Sequence, residues 1–230
     1  MSVFIKSSIG KKLLVSISGL FLIMFLFVHL TANLFILGGP DAYNLATHFM
    51  NTNPIIQIMQ PILALGFIVH ILWALIVQIK NWMSRPVKYN KFNQSESSTW
   101  VSRNMIYLGI VIFIFLSVHL YNFFWKMKFS GSELYTEIDV HGVMMHNAYA
   151  LVAGLFEIDI FTGSHFIFSG LYIVGFIALG LHLYHAFWSA FQTIGWSNDK
   201  WRVRLTNIGS VVAVVIAAGF SIIPLYFLLF

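Results

Sequence analysis

The sequence contains no cysteine and little charge. Its 230 residues include only 8 acidic side chains and 13 lysines and arginines, so charged residues make up 9% of the chain. Without cysteine the chain cannot supply disulfides, thiolate ligands for zinc or iron–sulfur clusters, or a C-x-x-C-H haem attachment. Soluble domains carry about 25% charged residues, so the shortage of charge indicates an integral membrane protein.

The net charge of +5 does not indicate a nucleic-acid-binding protein. That class needs basic residues clustered on one face, whereas here they are scattered in short segments between long apolar runs. Hydrophobic residues make up 59% of the chain, and the mean hydropathy is +0.82. We therefore expect a lipid bilayer around the protein and no nucleic acid partner.

Five apolar stretches organise the chain, at about 13–37, 55–79, 104–125, 166–190 and 205–230. About 20 apolar residues cross a bilayer as a helix, and none of these stretches alternates as an outer-membrane strand does. We predict an all-α fold, a single domain over 1–230 that is a bundle of five transmembrane helices. The first stretch is too long for a cleaved signal peptide and has no small-residue cleavage site after it.

The basic residues predict the orientation of the bundle. Eleven of the thirteen lie before the first stretch, between the second and third, or between the fourth and fifth, and six of the eight acids lie on the opposite side. Basic loops stay in the cytoplasm, so we predict a cytoplasmic N-terminus and an external C-terminus. On the external side, the connection 126–164 has an apolar part at 144–156, for which we predict a surface helix.

Four of the nine histidines lie inside apolar stretches, one in each of the first four: His29, His70, His119 and His182. Ionisable residues inside a membrane are costly and usually functional. At about 1.5 Å per residue, His29 and His119 lie about 9–12 Å from the outer ends of their helices. By the same rise, His70 and His182 lie about 12–13 Å from the inner ends. The four therefore form an outer pair and an inner pair.

Two facing imidazoles at one depth are what a bis-histidine haem needs, with one ligand on each face of the iron. Two stacked pairs would carry electrons across the membrane. The alternative is that each histidine hydrogen-bonds to a neighbouring helix, which explains four histidines on four helices less well. Zinc would need three or four converging ligands. His185 faces nearly the same way as His182, and spacing leaves both open as ligands.

The remaining histidines carry weaker signals. His48, His141, His146 and His165 are expected at the surface or at an interface. Small residues within the first two stretches either make room for a macrocycle or pack helices together. These small residues are Ser16, Ser18, Gly19 and Gly66.

Three motifs carry a resemblance to a known family. They are His29-Leu30-x-x-Asn33-x-Phe35, then Gly39-x-x-Ala42-Tyr43-Asn44-x-Ala46-x-His48-Phe49-Met50, and His182-x-x-x-x-Phe187-Trp188-Ser189. With the one-histidine-per-helix layout, they resemble the cytochrome b subunit of succinate:quinone oxidoreductases, in particular the five-helix, di-haem b558 family. The likeness covers essentially the whole chain.

The resemblance implies two haem b groups, with His29 and His119 as axial ligands of the distal, outer haem and His70 and His182 as those of the proximal, inner haem. It favours His182 over His185, because the family ligand stands five residues before Phe-Trp-Ser. It also implies a bacterial cytoplasmic membrane, and a flavoprotein and an iron–sulfur subunit docked on the cytoplasmic face. The chain would not act on succinate itself but would pass electrons between the iron–sulfur subunit and quinone, expected to be menaquinone.

Polar residues next to the end of the first stretch suggest where quinone reacts. We hypothesise an outer quinone site near the distal haem, with Asp41, Tyr43, Asn44 and His48 as polar contacts. No stretch contains an acidic residue, which argues against coupled transmembrane proton transfer. Several inner basic residues either serve partner docking and haem propionates or are ordinary positive-inside charge; they include Arg85, Lys88, Arg103, Arg202 and Arg204.

Two alternatives remain. One is a di-haem cytochrome b of another quinone-linked dehydrogenase, such as a hydrogenase or formate dehydrogenase. The other is a haem-free transporter, which helices broken by glycine or proline near the midplane would favour. The first four stretches show no such interruption.

Overall fold

Five long helices form the body of the protein, in a computed structural model that describes residues 7–84, 99–157, 164–196 and 198–230. Each is long and apolar enough to cross a membrane, the third one together with the helical segment to Ser130 that continues it. The predicted all-α bundle of five membrane helices is confirmed. These helices are Ser8–Leu34 (α1), Pro54–Met83 (α3), Met105–His119 (α5), Ser164–Ile194 (α7) and Asp199–Leu229 (α8).

Two of the five long helices continue directly into a helical segment of another type. A 3₁₀ turn, Phe35–Gly38, continues α1, and a π-helical segment, Leu120–Ser130, continues α5 directly after His119. A π-helical segment displaces the side chains that follow it around the helix axis, and such segments are frequent at functional sites. No local sequence signal predicted this one.

Side-chain caps explain where three of the long helices begin; the third is α8, where Asn198 Oδ1 accepts from Trp201 N (3.0 Å). The Ser7 hydroxyl accepts from the backbone N–H of Gly10 (2.9 Å) at the start of α1. The Asn53 side chain accepts from Ile55 N (2.9 Å) before α3, whose first residue is a proline. Such caps satisfy backbone donors that have no partner within the helix. They let each helix begin in polar sequence outside the predicted apolar stretch.

The bundle has three central helices and two flanking ones. The central helices α1, α7 and α8 pack against one another, α3 packs against α1, and α5 packs against α7. An added Cβ on Gly180 of α7 would lie 2.8 Å from Ala217 Cβ of α8, so this crossing requires a glycine. The core lies where α8 meets the others, with Ile216 fully buried, whereas no residue of α3 is buried.

The connection between α1 and α3 contains a helix that the sequence did not predict. Helix α2 spans Pro40–Thr52 and begins after Gly39, whose φ of 91° suits a glycine. Proline at the first helical position favours this start. A short helical turn, Trp100–Arg103 (α4), precedes α5.

The connection between α5 and α7 contains a β-hairpin and a helix. Strands Glu137–Val140 (β1) and Val143–His146 (β2) pair antiparallel. His141 and Gly142 form the turn with positive φ values of 55° and 83°, and Asp139 Oδ1 accepts from Gly142 N (2.7 Å). Two residues with positive φ are what a tight hairpin turn requires.

Helix α6, Ala148–Phe156, corrects one expectation. A helix does form within the apolar part of this connection, but it is not a surface helix, because six of its nine residues are buried. Phe156 is only 2% exposed. The segment is apolar on all sides, and a helix without a polar face is buried rather than laid on a surface. We call the end of the bundle that carries α2, the hairpin and α6 the outer end.

Candidate functional site

The structure brings His29 of α1 and His119 of α5 together. Their ring centroids are 5.8 Å apart and their planes are nearly perpendicular, at 86°. Five aromatic rings lie around this outer pair, at centroid distances of 5.1–6.1 Å from one imidazole or the other, and exclude water from it. They are Phe25, Phe115, Phe123, Tyr172 and Phe220.

His70 of α3 and His182 of α7 form the second pair. Their ring centroids are 6.4 Å apart, with an interplanar angle of 72°. His185 lies one helical turn further along α7 and is partly buried. Among the described residues, no ring contact joins His185 to His70. The structure therefore brings His182 rather than His185 to the inner pair.

The two pairs span the diagonals of a four-helix group. The packing contacts run from α3 to α1, from α1 to α7 and from α7 to α5. Within the described ranges, α1 and α5 have no extensive backbone contact, and neither do α3 and α7. Each pair of imidazoles thus joins two helices that are not close packing neighbours, α1 with α5 and α3 with α7.

The spacing of the pairs fits a metal between two imidazoles. A metal–imidazole bond is about 2 Å, and the ring centre lies about 1 Å beyond the nitrogen. Two imidazoles on opposite sides of one metal ion would then have centroids about 6 Å apart. The observed 5.8 Å and 6.4 Å agree with this distance. Because each pair supplies only two ligands, the remaining ones would come from a macrocycle such as haem.

The coordination number also argues against zinc. Nowhere in the described part of the chain do three or more His, Cys, Asp or Glu side chains lie close enough to hold a metal ion. A structural zinc site uses four ligands and a catalytic one three. Two buried imidazole nitrogens, His119 Nδ1 and His182 Nδ1, have no hydrogen-bond partner among the described residues. This supports a role for the paired histidines in binding rather than in hydrogen bonding between helices.

The contacts of His70 determine its tautomer. Its Nδ1 lies 3.2 Å from the Val15 carbonyl oxygen, which can only accept, so Nδ1 carries the proton. The Ser18 hydroxyl lies 3.3 Å from the same nitrogen. Nε2 is then left with its lone pair, the state that a metal ligand needs. An added Cβ on Gly19 would lie 3.2 Å from His70 Cε1, so a small residue is needed beside this ring.

The four small residues of the first two stretches differ in what they contact. An added Cβ on Gly66 would lie 2.7 Å from the Phe21 ring, so Gly66 lets α3 approach α1. Ser16 is buried within α1, and the Ser18 hydroxyl donates to the Leu14 carbonyl (2.6 Å). Of the four small residues, Ser18 and Gly19 therefore adjoin a histidine of the pairs.

His29 has a different environment. Asn33 Nδ2 donates to the His29 carbonyl (2.8 Å) and lies 3.4 Å from His29 Nδ1. The Tyr43 hydroxyl of α2 donates to Asn33 Oδ1 (3.2 Å). Burial raises the pKa of Tyr43, with a smaller contribution from Tyr135, so the hydroxyl keeps its proton. A hydrogen-bonded chain thus connects α2 at the outer end with the outer histidine pair.

The four residues proposed from the sequence as quinone contacts lie in different environments. Asn44 is fully buried, donates to Asn147 Oδ1 (3.3 Å) and accepts from Tyr149 N (2.9 Å), so its polar groups hold α6. Asp41 is exposed and lies 3.5 Å from the His141 imidazole. Tyr43 is bonded to Asn33, as described above. The fourth residue, His48, lines a cavity.

That cavity lies at the outer end between α2 and the hairpin and has a volume of about 230 Å³. The residues that the hairpin and the preceding turn contribute could not be predicted, because no sequence signal placed this connection against α2. The Tyr135 ring, for example, stacks on the His146 ring at 4.6 Å. The lining consists of Thr47, His48, Asn51, Thr52, Tyr135, Glu137, Met144, Met145 and His146.

Two further expectations can be compared with the structure. His165 is buried, at 3% exposure, so it does not lie at the surface, which was one of the two positions expected for it. It lies in the first turn of α7, where its ring centroid is 4.1 Å from that of Phe166. Of the inner basic residues, Arg85 and Lys88 lie outside the described residues. Arg204 lies over the Trp201 ring (5.5 Å) in the first turns of α8.

One curated protein supports the family resemblance. The chain is 25% identical over 203 residues to the succinate dehydrogenase cytochrome b558 subunit of Bacillus subtilis, which covers 88% of this chain and 86% of that protein. The resemblance that the motifs indicated is thereby confirmed. No protein-family model matches the chain. No solved structure matches it either.

Proposed function

We propose that the chain is the di-haem cytochrome b membrane anchor of a succinate:quinone oxidoreductase. The observation that carries the proposal is the pair of diagonal histidine contacts, His29 with His119 and His70 with His182, at spacings that suit a metal between each pair. Similarity to a cytochrome b558 subunit over most of both chains supports the same function.

The four histidines would hold two haem b groups. His29 and His119 would be the axial ligands of the outer haem, and His70 and His182 those of the inner haem. When bound, haem b supplies reversible one-electron transfer. The chain's own contribution is to orient the imidazoles and keep water away from them: Val15 fixes the tautomer of His70, and phenylalanines surround the outer pair.

Quinone would react at the outer end. Of the four residues suggested by the sequence, His48 is the one that lines a cavity. We propose that the His48 imidazole contacts the quinone head group in this cavity, while Asn44 and Tyr43 support the surrounding structure. Asp41 is exposed beside His141 and is not one of the residues that line the cavity. Menaquinone is the expected quinone on the family resemblance alone.

The remaining subunits would dock at the opposite, inner end. A flavoprotein and an iron–sulfur subunit on the cytoplasmic face of a bacterial cytoplasmic membrane would exchange electrons with the inner haem. Arg202 and Arg204 begin α8 at that end and are exposed, so they are accessible to an acidic partner surface. Because the chain would not bind succinate, its activity depends on these partners.

Affinity purification of the tagged chain from its native membrane tests this function. The expected result is copurification of a flavoprotein and an iron–sulfur protein, with succinate-dependent quinone reduction by the purified complex. A matched preparation of a differently tagged membrane protein is the control. Copurification with a hydrogenase or formate dehydrogenase, without succinate activity, would contradict the proposal and favour the alternative dehydrogenase.

A further inference from the structure

The His119 imidazole of the outer pair lacks the restraint that holds the His70 imidazole of the inner pair. His70 Nδ1 lies 3.2 Å from the Val15 carbonyl oxygen, and a hydrogen bond at this second nitrogen fixes the orientation of a ligating ring. His119 Nδ1 is buried and has no hydrogen-bond partner among the described residues. The torsion that turns an imidazole about its Cβ–Cγ bond has only broad minima. Packing must therefore set the plane of the His119 ring.

Among the described residues, Tyr172 of α7 is the one ring from a third helix that contacts His119. The two centroids are 6.1 Å apart and the planes meet at 60°. Phe115 and Phe123 also contact His119, at 6.0 and 5.2 Å, but they lie four residues before and after it on the same continuous helix and move with it. Tyr172 contacts both phenylalanines as well, at 5.2 and 6.2 Å. It is thus the side chain of α7 that packs against all three rings.

Tyr172 is itself held on two sides. Its side chain is 2% exposed, and its ring packs edge-to-face on Phe156 of α6 at 5.0 Å. Its hydroxyl accepts from Asn122 Nδ2 (3.2 Å), which belongs to the π-helical segment that begins directly after His119. Because protein interiors are close-packed, a ring enclosed in this way cannot shift to make room for a turning imidazole.

We propose that Tyr172 is a positioning residue whose ring sets the rotation of the His119 imidazole and so keeps the outer pair nearly perpendicular, at the observed 86°. This inference rests on the proposed role of His29 and His119 as ligands of the outer haem. A metal–imidazole bond holds the nitrogen but lets the ring turn about that bond, so the restraint is still needed in the haem-loaded protein. A ligand that cannot turn keeps one geometry in both oxidation states, which suits electron transfer.

The electron paramagnetic resonance spectrum of the oxidised, haem-loaded complex measures this angle. In a low-spin ferric haem with two imidazole ligands, the largest g-value is highest when the two ring planes are perpendicular and falls as they become parallel. Tyr172→Leu removes the aromatic ring. We expect the largest g-value of the outer haem to fall and that of the inner haem to stay unchanged. The outer signal is identified as the one that His29→Ala removes.

Two control variants separate the effect of the ring from that of general packing. Tyr172→Phe keeps the ring but leaves Asn122 Nδ2 without its acceptor, so it should lower the melting temperature and shift neither g-value. Phe176→Leu, one turn further along α7, removes a buried ring that packs on Tyr172 and Phe115 but has no described ring contact with His119. It should also leave both g-values unchanged.

A wild-type protein without haem would overturn the proposed function and this inference with it. Two haems with unchanged g-values in Tyr172→Leu would overturn the inference alone, as would an equal shift in Phe176→Leu or in Tyr172→Phe.

If Tyr172→Leu loses the outer haem, Tyr172→Met decides, because the flexible methionine side chain fills irregular gaps in a core. A retained outer haem with a lowered g-value in this variant supports the role given to the ring. Loss of that haem from Tyr172→Met as well, or an unchanged g-value, contradicts it.

Discussion

Asn44 and Asn147, 103 residues apart in the chain, are joined by a side-chain hydrogen bond of 3.3 Å. Asn44 is fully buried, and its Oδ1 accepts from the backbone N–H of Tyr149 (2.9 Å). Asn147 Oδ1 in turn caps the first turn of α6 through Ala150 N (3.0 Å). This contact holds the outer connection of α5 and α7 onto α2.

Asn44→Ala should therefore destabilise the outer end. The substitution leaves Tyr149 N without its acceptor and removes one of the two donors to Asn147 Oδ1, at a cost of about 1–3 kcal/mol. We expect a lower melting temperature of the detergent-solubilised protein and unchanged haem content. Asn81→Ala, at an exposed position near the end of α3, is the matched control and should melt as the wild type does. Equal melting temperatures for the two variants would contradict the role given to Asn44.

The crossing of α7 and α8 should depend on Gly180. A Cβ there would lie 2.8 Å from Ala217 Cβ, closer than side-chain carbons pack, so Gly180→Ala should cost about 1–3 kcal/mol through overpacking. Gly170→Ala on the same helix is the control, because no atom lies within 4 Å of the added Cβ. Alanine favours a helix by up to about 1 kcal/mol over glycine. Thermal unfolding should therefore separate the two variants in opposite directions, and a stabilised Gly180→Ala protein would be inconsistent with the packing described.

The outer cavity gives a prediction for quinone turnover. His48→Ala should lower quinone-dependent turnover of the complex about fivefold, the effect of one lost hydrogen bond of about 1 kcal/mol. The haem spectrum should not change, because His48 is not one of the four paired histidines. His141→Ala, at the exposed hairpin turn, is the control. Steady-state assays over a range of quinone concentrations measure the effect, and wild-type kinetics in His48→Ala would exclude the cavity as the quinone site.

The five membrane helices could be predicted because their signal is local. About 20 apolar residues in sequence are enough to indicate a span, and positions along a helix give relative depth, which grouped His29 with His119 and His70 with His182. The structure brings the same histidines into ring contact. Their role as ligands stays a prediction.

The outer layer could not be predicted because its signals are not local. Residues 40–52 contain a proline and several polar residues, and the hairpin at 137–146 is mostly exposed. Their structure depends on contacts such as that of Asn44 with Asn147, which no local pattern reveals. The burial of α6 has the same origin, since α6 packs against α2, α7 and α8.

The central claim is that two histidine pairs each hold one haem. Each paired histidine is expected to be necessary for one haem: His29→Ala and His119→Ala should lose the outer haem, and His70→Ala and His182→Ala the inner one. His185→Ala is the matched control, since it removes an imidazole one turn from His182 that has no described ring contact with His70.

Haem quantitation with reduced-minus-oxidised spectra, on the purified wild type and these five variants, tests the claim most directly. We expect two haem b groups per wild-type chain, one in each of the four paired-histidine variants and two in His185→Ala. A wild-type protein without haem, or a His185→Ala protein that loses a haem while His182→Ala keeps both, would contradict it.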